Sequence, residues 1–205
     1  MRLRMIGVAC LALVACARAA PPLSDALIPP GVEFVSRVEW GARPPVLPMQ
    51  AHTLTRLTIH HTGTNQNFNR TVADKLRGLQ LFSQRDDSLA SGRLKPAWPD
   101  VPYHFYVGVD GIVGEGRDWR YAGDTNTEYD PAGHLLVVVE GNFQKDTLTT
   151  AQRRTLDVIV PALALRFGIP ADRLASHRDY AQTECPGANL YVELPRYREL
   201  IRAGR

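Results

Sequence analysis

Two stretches rich in apolar and β-branched residues, 54–62 and 134–140, constrain the fold of this chain more than any other feature. Both have the length of a strand, and neither shows the strict alternation of apolar and polar residues that marks a sheet face open to water. Each is therefore predicted to be a strand buried on both faces, which requires a sheet that is covered by further structure on its two sides.

Helical periodicity predicts the layers that cover this sheet. A first amphipathic helix is expected from residue 69 or 71 to about residue 87, because apolar side chains recur there three or four positions apart. A second helix is expected to begin at Thr149, the first residue of a capping-box pattern, and to end before Gly168, with a kink at Pro161. A last helix is predicted over residues 194–203.

A β-hairpin is predicted around Asp110-Gly111, which separates the apolar runs 103–109 and 112–116. Strands and helices thus alternate along the chain, without an internal repeat. This order predicts an α/β fold, with one domain whose central mixed β-sheet is flanked by helices. The length of 205 residues suits one well-buried domain and is short for two.

The N-terminal segment 1–19 has the charge order and length of an export signal, with a short basic start before an apolar run. Two cleavage sites compete. Leu13-Val14-Ala15-Cys16 resembles a bacterial lipobox with cleavage before Cys16, and Ala17-Arg18-Ala19 fits ordinary signal cleavage. We favour the lipobox, in which a lipid on Cys16 tethers the domain to a membrane. Residues 20–35 are predicted to be a linker, and residues 36–205 are predicted to be the functional domain.

The formal charge gives no support for a nucleic-acid partner. The net charge of the whole chain is +3, and Arg2 and Arg4 lie in the predicted export signal, so the mature domain is close to neutral. A domain that binds nucleic acid usually carries a strong basic surplus. We expect no nucleic-acid partner and a monomeric domain.

Cys185 is the one cysteine beyond residue 16, so it has no intramolecular disulfide partner in an oxidising compartment. It could be an inert buried residue, a reactive thiol or a metal ligand. Seven residues separate it from His177, in a loop that ends Cys-Pro-Gly. A histidine and a cysteine placed in this way could share a metal ion if a third ligand came from elsewhere in the chain.

The third ligand is sought at the end of the strand 54–62, where His60 and His61 are adjacent. Neighbouring strand residues point to opposite faces, so only one of the two can face a given metal, and the pattern does not choose between them. Two imidazoles and one thiolate match a catalytic zinc site, in which water takes the fourth position and becomes a nucleophile. That chemistry indicates a hydrolase. His104 and His134 are interpreted as structural or cleft-lining residues.

Six segments of the chain stand in the order in which one known family has them. They are residues 38–43, residues 59–62, residues 101–105, residues 110–111 with 116–117, residues 141–143 and residues 177–179 with 183–187. Together they resemble the peptidoglycan recognition proteins and the related zinc amidases of bacteriophage lysozyme type. The resemblance covers residues 35–197.

This resemblance implies N-acetylmuramoyl-L-alanine amidase activity, which cuts the amide between the lactyl group of the glycan and the first alanine of the stem peptide. In the family motif the first histidine of the pair binds the metal, which selects His60 as a zinc ligand beside His177 and Cys185. Tyr103 matches a tyrosine beside the metal that contacts the water or the developing oxyanion. Thr183 matches a position that helps to stabilise the tetrahedral intermediate. Both are therefore expected to be catalytic residues.

The same resemblance implies the cofactor, the partner and the location of the protein. We expect Zn2+, a peptidoglycan or muropeptide substrate, and export to the periplasm or cell envelope. The substrate groove is expected to be walled by Asn67, Trp98 and residues 119–126 and 181–183. Non-catalytic relatives typically lack the cysteine ligand. The presence of Cys185 therefore favours the interpretation that residues 36–205 are a zinc amidase domain. The alternatives are a binding module without turnover and a protein that binds and inhibits a partner.

Two departures from the family concern the polar groups near the expected site. Many relatives carry a histidine in the polar segment after the hairpin, where this chain has Gly123-Asp124. Some bacterial amidases use a glutamate on the strand before the Gly-Asn-Phe segment, and Glu140 lies on the matching strand but is shifted by two positions. For Glu140, a structural or surface role is therefore favoured over a role as general base.

Overall fold

The computed structural model describes residues 27–89 and 91–204 of the chain. The predicted export signal, with both cleavage sites and Cys16, lies outside the described residues. The elements are strands β1 (Phe34–Val35), β2 (Arg56–His61), β3 (Asp87–Ser88), β4 (Leu94–Lys95), β5 (Phe105–Val107), β6 (Val113–Glu115), β7 (His134–Val139) and β8 (Leu174–Ser176), and helices α1 (Val72–Ser83), α2 (Thr150–Arg166), α3 (Ala188–Tyr191) and α4 (Leu194–Ala203). Among these described helices, none is long and apolar enough to span a membrane.

The main sheet has six strands in the order β1-β6-β5-β7-β2-β8. β5 and β6 are antiparallel, as the predicted hairpin requires, and the other neighbours are parallel, so the sheet is mixed. β2 and β7 lie side by side in its interior and pair along their whole length, from Arg56↔His134 to His61↔Val139. The two stretches that most constrain the fold therefore form neighbouring inner strands.

Different helices cover the two faces of the sheet. Val138 of β7 packs with Val72 and Leu76 of α1, whereas its neighbours Val137 and Val139 belong to the core that contains residues of α2 and α4. Alternate residues of one strand thus enter two separate cores, which explains why β7 is apolar over most of its length. The predicted α/β architecture, a central mixed sheet flanked by helices, is confirmed.

Helix α2 begins as its sequence predicts. Thr149 Oγ1 accepts the backbone N–H of Gln152 at 3.0 Å, and the Gln152 side chain accepts the backbone N–H of Thr149 at 3.1 Å, which completes the capping box. The helix continues through Pro161 as far as Arg166. The proline therefore lies within the helix and does not end it.

Helix α1 ends at Ser83, before the predicted end near residue 87, because the chain turns there into the antiparallel hairpin of β3 and β4. The Lys95 ammonium group is fully buried and donates to the carbonyl oxygens of Ser83, Arg85 and Pro96 at 3.1, 2.9 and 2.8 Å. This cation satisfies carbonyl groups at the end of the helix, where a positive charge is favourable. It also ties the hairpin to α1.

The segment 20–35, which the sequence predicts to be a linker, is packed where the structure describes it. Leu27 is buried, and Ile28 packs against the same core. The segment ends in β1, which pairs in parallel with β6 at the edge of the sheet. The expectation of a linker is thus corrected for residues 27–35. Prolines and small residues surround their apolar side chains, but those side chains pack into the core.

Candidate metal centre and groove

Parallel pairing places two of the predicted ligands side by side. β2 and β8 are neighbours with Ile59 opposite Ser176, so the next residues, His60 and His177, meet at one edge of the sheet. Their ring centroids are 4.8 Å apart. His60 is opposite Val138 of β7, which packs with α1, so these rings lie on the α1 side of the sheet.

Cys185 reaches the same place from the loop that follows His177. Its Sγ lies 3.7 Å from His60 Nδ1 and accepts the backbone N–H of His61 at 3.3 Å. The loop is closed behind the thiol, because the Arg178 N–H donates to the Cys185 carbonyl oxygen at 2.9 Å. The ligand atoms that His60, His177 and Cys185 offer all lie within 4.8 Å of one another. These three residues are called the ligand cluster below.

The two adjacent histidines of β2 are separated by the fold. The His61 ring stacks on Phe143, with centroids 6.4 Å apart, and its Nδ1 accepts the Phe143 backbone N–H at 3.3 Å. His61 is therefore engaged outside the ligand cluster, and His60 is the histidine that joins it. His60 Nε2 is buried and has no hydrogen-bond partner among the residues that the structure describes.

Burial sets the protonation of the ligand cluster when no cation is bound. It lowers the pKa of His60 well below its usual value, with a smaller contribution from His177. It lowers the pKa of His177 to about 4 and raises the pKa of the Cys185 thiol to about 12. At neutral pH both imidazoles are therefore neutral and able to bind a metal, while the thiol keeps its proton until a cation displaces it.

Tyr103 stands next to the ligand cluster. Its ring centroid lies 5.2 Å from that of His60, and its side chain also lines the adjoining groove. Burial raises the pKa of Tyr103, and the neighbouring Cys185 raises it further. The hydroxyl therefore keeps its proton at neutral pH and can donate a hydrogen bond to a negatively charged oxygen.

Thr183 lies in the same loop as Cys185 and is half-buried. Its Oγ1 accepts the Cys185 backbone N–H at 3.2 Å, a contact that fixes the loop immediately before the thiol. The described lining of the adjoining groove does not include Thr183. A catalytic role for this residue stays a prediction.

A groove of about 840 Å³ opens beside the ligand cluster. Residues of α1 and of the loop between β3 and β4 form part of its wall, and Tyr103 connects the groove to the cluster. The lining mixes aromatic and polar side chains, among them Asn67, Trp98, Tyr106 and Asn126. Asn67, Trp98 and Asn126 are thus found where the sequence predicts a groove wall.

Trp119 does not line the groove, contrary to expectation. Its ring packs against Phe167, with centroids 4.8 Å apart, in the core that contains residues of α2 and α4. A large aromatic ring is stabilised by such apolar contact more than by exposure on a wall. Residues 181–183, the other predicted wall, are likewise absent from the described lining.

Glu140 is engaged in structural contacts at the groove. Its side chain is 3% exposed and forms an ion pair with Lys75 at 2.7 Å. The carboxylate also accepts the backbone N–H groups of Asn67 at 3.1 Å and of Val109 at 3.2 Å. A carboxylate that holds three donors is committed to the fold, which supports the structural role that the sequence favours.

Asp124 anchors the polar segment that follows the hairpin. It forms an ion pair with Arg117, whose side chain is 2% exposed. The Arg117 guanidinium also donates to the carbonyl oxygens of Val101 and Asp100 at 2.9 and 3.0 Å. Asp124, which lies where many relatives carry a histidine, therefore helps to order the segment.

Two further side chains of the polar segment reach His177. Thr127 Oγ1 lies 2.6 Å from His177 Nε2. The Tyr129 ring lies 5.1 Å from the His177 ring, and its hydroxyl is buried with no hydrogen-bond partner in the described part of the chain. A polar, turn-rich loop does not predict either contact. The available clue is the closeness of several hydroxyl-bearing residues within that loop.

Comparison with known proteins gives relatives of both sequence and fold. The family model described as N-acetylmuramoyl-L-alanine amidase matches residues 50–188. Peptidoglycan-recognition protein SC2 of Drosophila simulans is 32% identical over 167 residues, which are 80% of this chain and 85% of that protein. Human N-acetylmuramoyl-L-alanine amidase is 32% identical over 166 residues, which are 76% of this chain and 26% of that protein. The structure is similar to peptidoglycan recognition protein-LE, solved in complex with tracheal cytotoxin, a monomeric diaminopimelic acid-type peptidoglycan, with a TM-score of 0.65, 27% identity and coverage of 80% of this chain and 92% of that one.

Proposed function

The chain belongs to the family of N-acetylmuramoyl-L-alanine amidases and peptidoglycan recognition proteins, and from this premise we propose that it is a zinc-dependent N-acetylmuramoyl-L-alanine amidase. It hydrolyses the amide between N-acetylmuramic acid and L-alanine in peptidoglycan or its fragments. The single observation that carries the proposal is the ligand cluster of His60, His177 and Cys185, which adjoins a large groove at Tyr103.

The donor set of the ligand cluster suits zinc. Imidazole nitrogen and thiolate sulfur are usual zinc ligands, and three protein ligands leave the open position of a catalytic site, whereas a structural site has four. No fourth histidine, cysteine or carboxylate joins the group within the described ranges. Bond lengths of about 2.0 Å to nitrogen and about 2.3 Å to sulfur place tetrahedral ligand atoms about 3.5 Å apart. His60 Nδ1 and Cys185 Sγ are 3.7 Å apart, and the ligand atoms of all three residues lie within 4.8 Å of one another.

When bound, zinc would supply an activated water and polarise the substrate carbonyl. Tyr103 is the residue proposed to donate a hydrogen bond to the carbonyl oxygen as that oxygen becomes negative in the transition state. Because its pKa is raised by burial, the hydroxyl is a donor across the neutral range. Thr183 is the second residue proposed to stabilise the tetrahedral intermediate, from within the loop that carries Cys185.

The groove suits a substrate in which a sugar carries a peptide. Asn67 and Asn126 offer amide groups to a peptide backbone, and Phe82, Trp98 and Tyr106 offer apolar surfaces to methyl groups and sugar rings. Tracheal cytotoxin, bound in the complex of peptidoglycan recognition protein-LE, is a ligand of this chemical class. A muropeptide or the stem of intact peptidoglycan is therefore the proposed substrate.

The cellular location follows from the same proposal. Intact peptidoglycan lies outside the cytoplasm, so an enzyme that acts on it is expected in the periplasm or cell envelope. The export signal and the lipidated Cys16 predicted from the sequence would supply the route and a membrane tether. Membrane fractionation of wild type and Cys16→Ala tests the tether, and equal membrane association of the two would remove it from the proposal.

A binding module without turnover is the second candidate function, because several relatives are named as recognition proteins. Metal content and product release distinguish the two. The wild type should contain about one zinc per chain and release stem peptide from purified cell walls, whereas Cys185→Ala should lose both. Thr53→Val, an exposed substitution three residues before the start of β2, is the control and should behave as wild type. A wild type that binds wall fragments but holds no zinc and releases no peptide would be a binding module instead.

A further inference from the structure

One nitrogen of the His177 ring has a hydroxyl partner. Thr127 Oγ1 lies 2.6 Å from His177 Nε2, which joins the polar segment after the hairpin to the first residue after β8. Thr127 is itself held in place by Thr125. The two hydroxyl oxygens are 2.7 Å apart, and the Thr127 backbone N–H donates to Thr125 Oγ1 at 3.1 Å. A continuous hydrogen-bonded series therefore runs from Thr125 through Thr127 to the imidazole.

This contact decides which nitrogen of His177 is free. Because Thr127 occupies Nε2, Nδ1 is the nitrogen left to face the ligand cluster. His60 presents the same atom, since its Nδ1 lies 3.7 Å from Cys185 Sγ. We propose that Thr127 is a positioning residue, which accepts a hydrogen bond from His177 Nε2–H and thereby holds the ring with Nδ1 toward the metal.

This role of Thr127 rests on the proposed function, because it takes His177 as a zinc ligand. A neutral imidazole that binds a metal through Nδ1 carries its proton on Nε2, so Nε2–H is the donor and Thr127 Oγ1 the acceptor. The hydroxyl proton of Thr127 is then directed toward Thr125 Oγ1. The Thr127 hydroxyl can accept from His177 Nε2–H while it donates to Thr125 Oγ1, so the series stabilises the tautomer that leaves Nδ1 free for the metal.

Packing against the His177 ring does not determine which of its nitrogens faces the ligand cluster. Tyr129 and His60 lie against the His177 ring, with centroids 5.1 and 4.8 Å away. These contacts restrict the plane of the ring, but an imidazole that is flipped by half a turn has nearly the same shape. The hydrogen bond from Nε2 to Thr127 distinguishes the two orientations, because the flipped ring would present a carbon atom to the hydroxyl.

Removal of the Thr127 hydroxyl should weaken zinc binding. Hydrogen bonds from a ligating histidine to an outer partner are worth about 10–100-fold in metal affinity. Thr127→Val keeps the shape of the side chain and removes the acceptor, so it should raise the dissociation constant for zinc by that factor. Thr127→Ser keeps the acceptor and should lose less than about tenfold. Thr53→Val, the same replacement at an exposed position, should leave the constant unchanged.

Competition with a chromophoric chelator measures the dissociation constants, and thermal unfolding of the metal-free proteins shows whether each variant is folded. Weaker zinc binding by a folded Thr127→Val protein, with recovery in Thr127→Ser, is the expected result. Equal zinc affinities of wild type and Thr127→Val would overturn the role of Thr127 while leaving the proposed amidase in place. A wild type that binds no zinc would instead contradict the proposed function itself.

Histidine 15N NMR of the zinc-loaded wild type gives a second readout, which does not depend on a variant that folds. The His177 spectrum should show a metal-bound Nδ1 and a protonated Nε2 whose proton is shifted by a hydrogen bond. Coordination through Nε2 would overturn the proposal, because Thr127 would then lie where the metal binds.

Discussion

Removal of the Lys75 charge should destabilise the protein much more than removal of a surface charge. The side chains of Lys75 and Glu140 are 7% and 3% exposed and their charged atoms are 2.7 Å apart. Lys75→Met leaves a buried carboxylate without its cation, and breaking a buried ion pair in this way costs about 3–5 kcal/mol. Lys75 Nζ also donates to the Asn67 carbonyl oxygen at 2.7 Å, so the loss should lie in the upper half of that range.

Urea unfolding measures this loss as a shift of the midpoint. With a denaturant slope of about 2 kcal/mol/M, a loss of about 4 kcal/mol lowers the midpoint by about 2 M. The pair of Arg196 and Asp157, whose side chains are 51% and 22% exposed, supplies the control. Arg196→Met should cost about 1 kcal/mol or less. The double variant Lys75→Met/Glu140→Gln removes both charges and should recover part of the loss.

The same variants decide between a structural and a catalytic Glu140. If the carboxylate serves the fold, Glu140→Gln lowers the free energy of unfolding, while the folded variant keeps its zinc and hydrolyses peptidoglycan at close to the wild-type rate. A Lys75→Met protein with the wild-type midpoint would refute the energetic reasoning. A stable, zinc-loaded Glu140→Gln protein without activity would refute the structural role.

Three further variants test separate parts of the structure. Tyr103→Phe should lower kcat by about 10²–10³-fold with unchanged zinc content, because it removes an oxyanion donor, and an unchanged kcat would exclude that role. Lys95→Met should expose the β3–β4 hairpin to limited proteolysis, because the buried ammonium group donates to three carbonyl oxygens, and cleavage at the wild-type rate would count against this. Burial lowers the pKa of His104 to about 3, whereas an unfolded histidine has a pKa of about 6.5. As the pH drops, the unfolded chain therefore binds a proton at His104 before the folded protein does. The free energy of unfolding should thus fall as the pH drops from about 6.5 toward about 3. His104→Gln should flatten that fall by up to about 1.4 kcal/mol per pH unit, and an unchanged slope in urea unfolding at several pH values would contradict the assignment.

Elements with local determinants could be predicted from the sequence. Residues 134–140 predict a strand buried on both faces, and all six residues of β7 are buried. Thr149 and Gln152 predict the start of α2, since a capping box needs only four consecutive residues. The packing of Leu27 could not be predicted in this way, because it depends on a core assembled from distant parts of the chain.

The same distinction between local and long-range determinants applies to the candidate site. His177 and Cys185 are close in sequence, so their spacing alone raises the possibility of a shared metal. The choice of His60 over His61 requires either the family resemblance or the pairing of β2 with its neighbours. Thr127 is 50 residues from His177, and its hydrogen bond exists only because the polar segment folds back over the end of β8. No local pattern encodes such a contact.

The chemical groups that the reaction exposes on peptidoglycan test the proposed amidase activity most directly. Hydrolysis of the amide between muramic acid and L-alanine frees the α-amino group of that alanine and leaves a carboxylate on the lactyl group of the glycan. Mass spectrometry of peptidoglycan treated with the zinc-loaded protein should therefore show stem peptides that begin with a free L-alanine, together with glycan stripped of peptide. Peptides that remain attached to muramic acid, or cuts only within the glycan or within the stem, would contradict the proposed reaction.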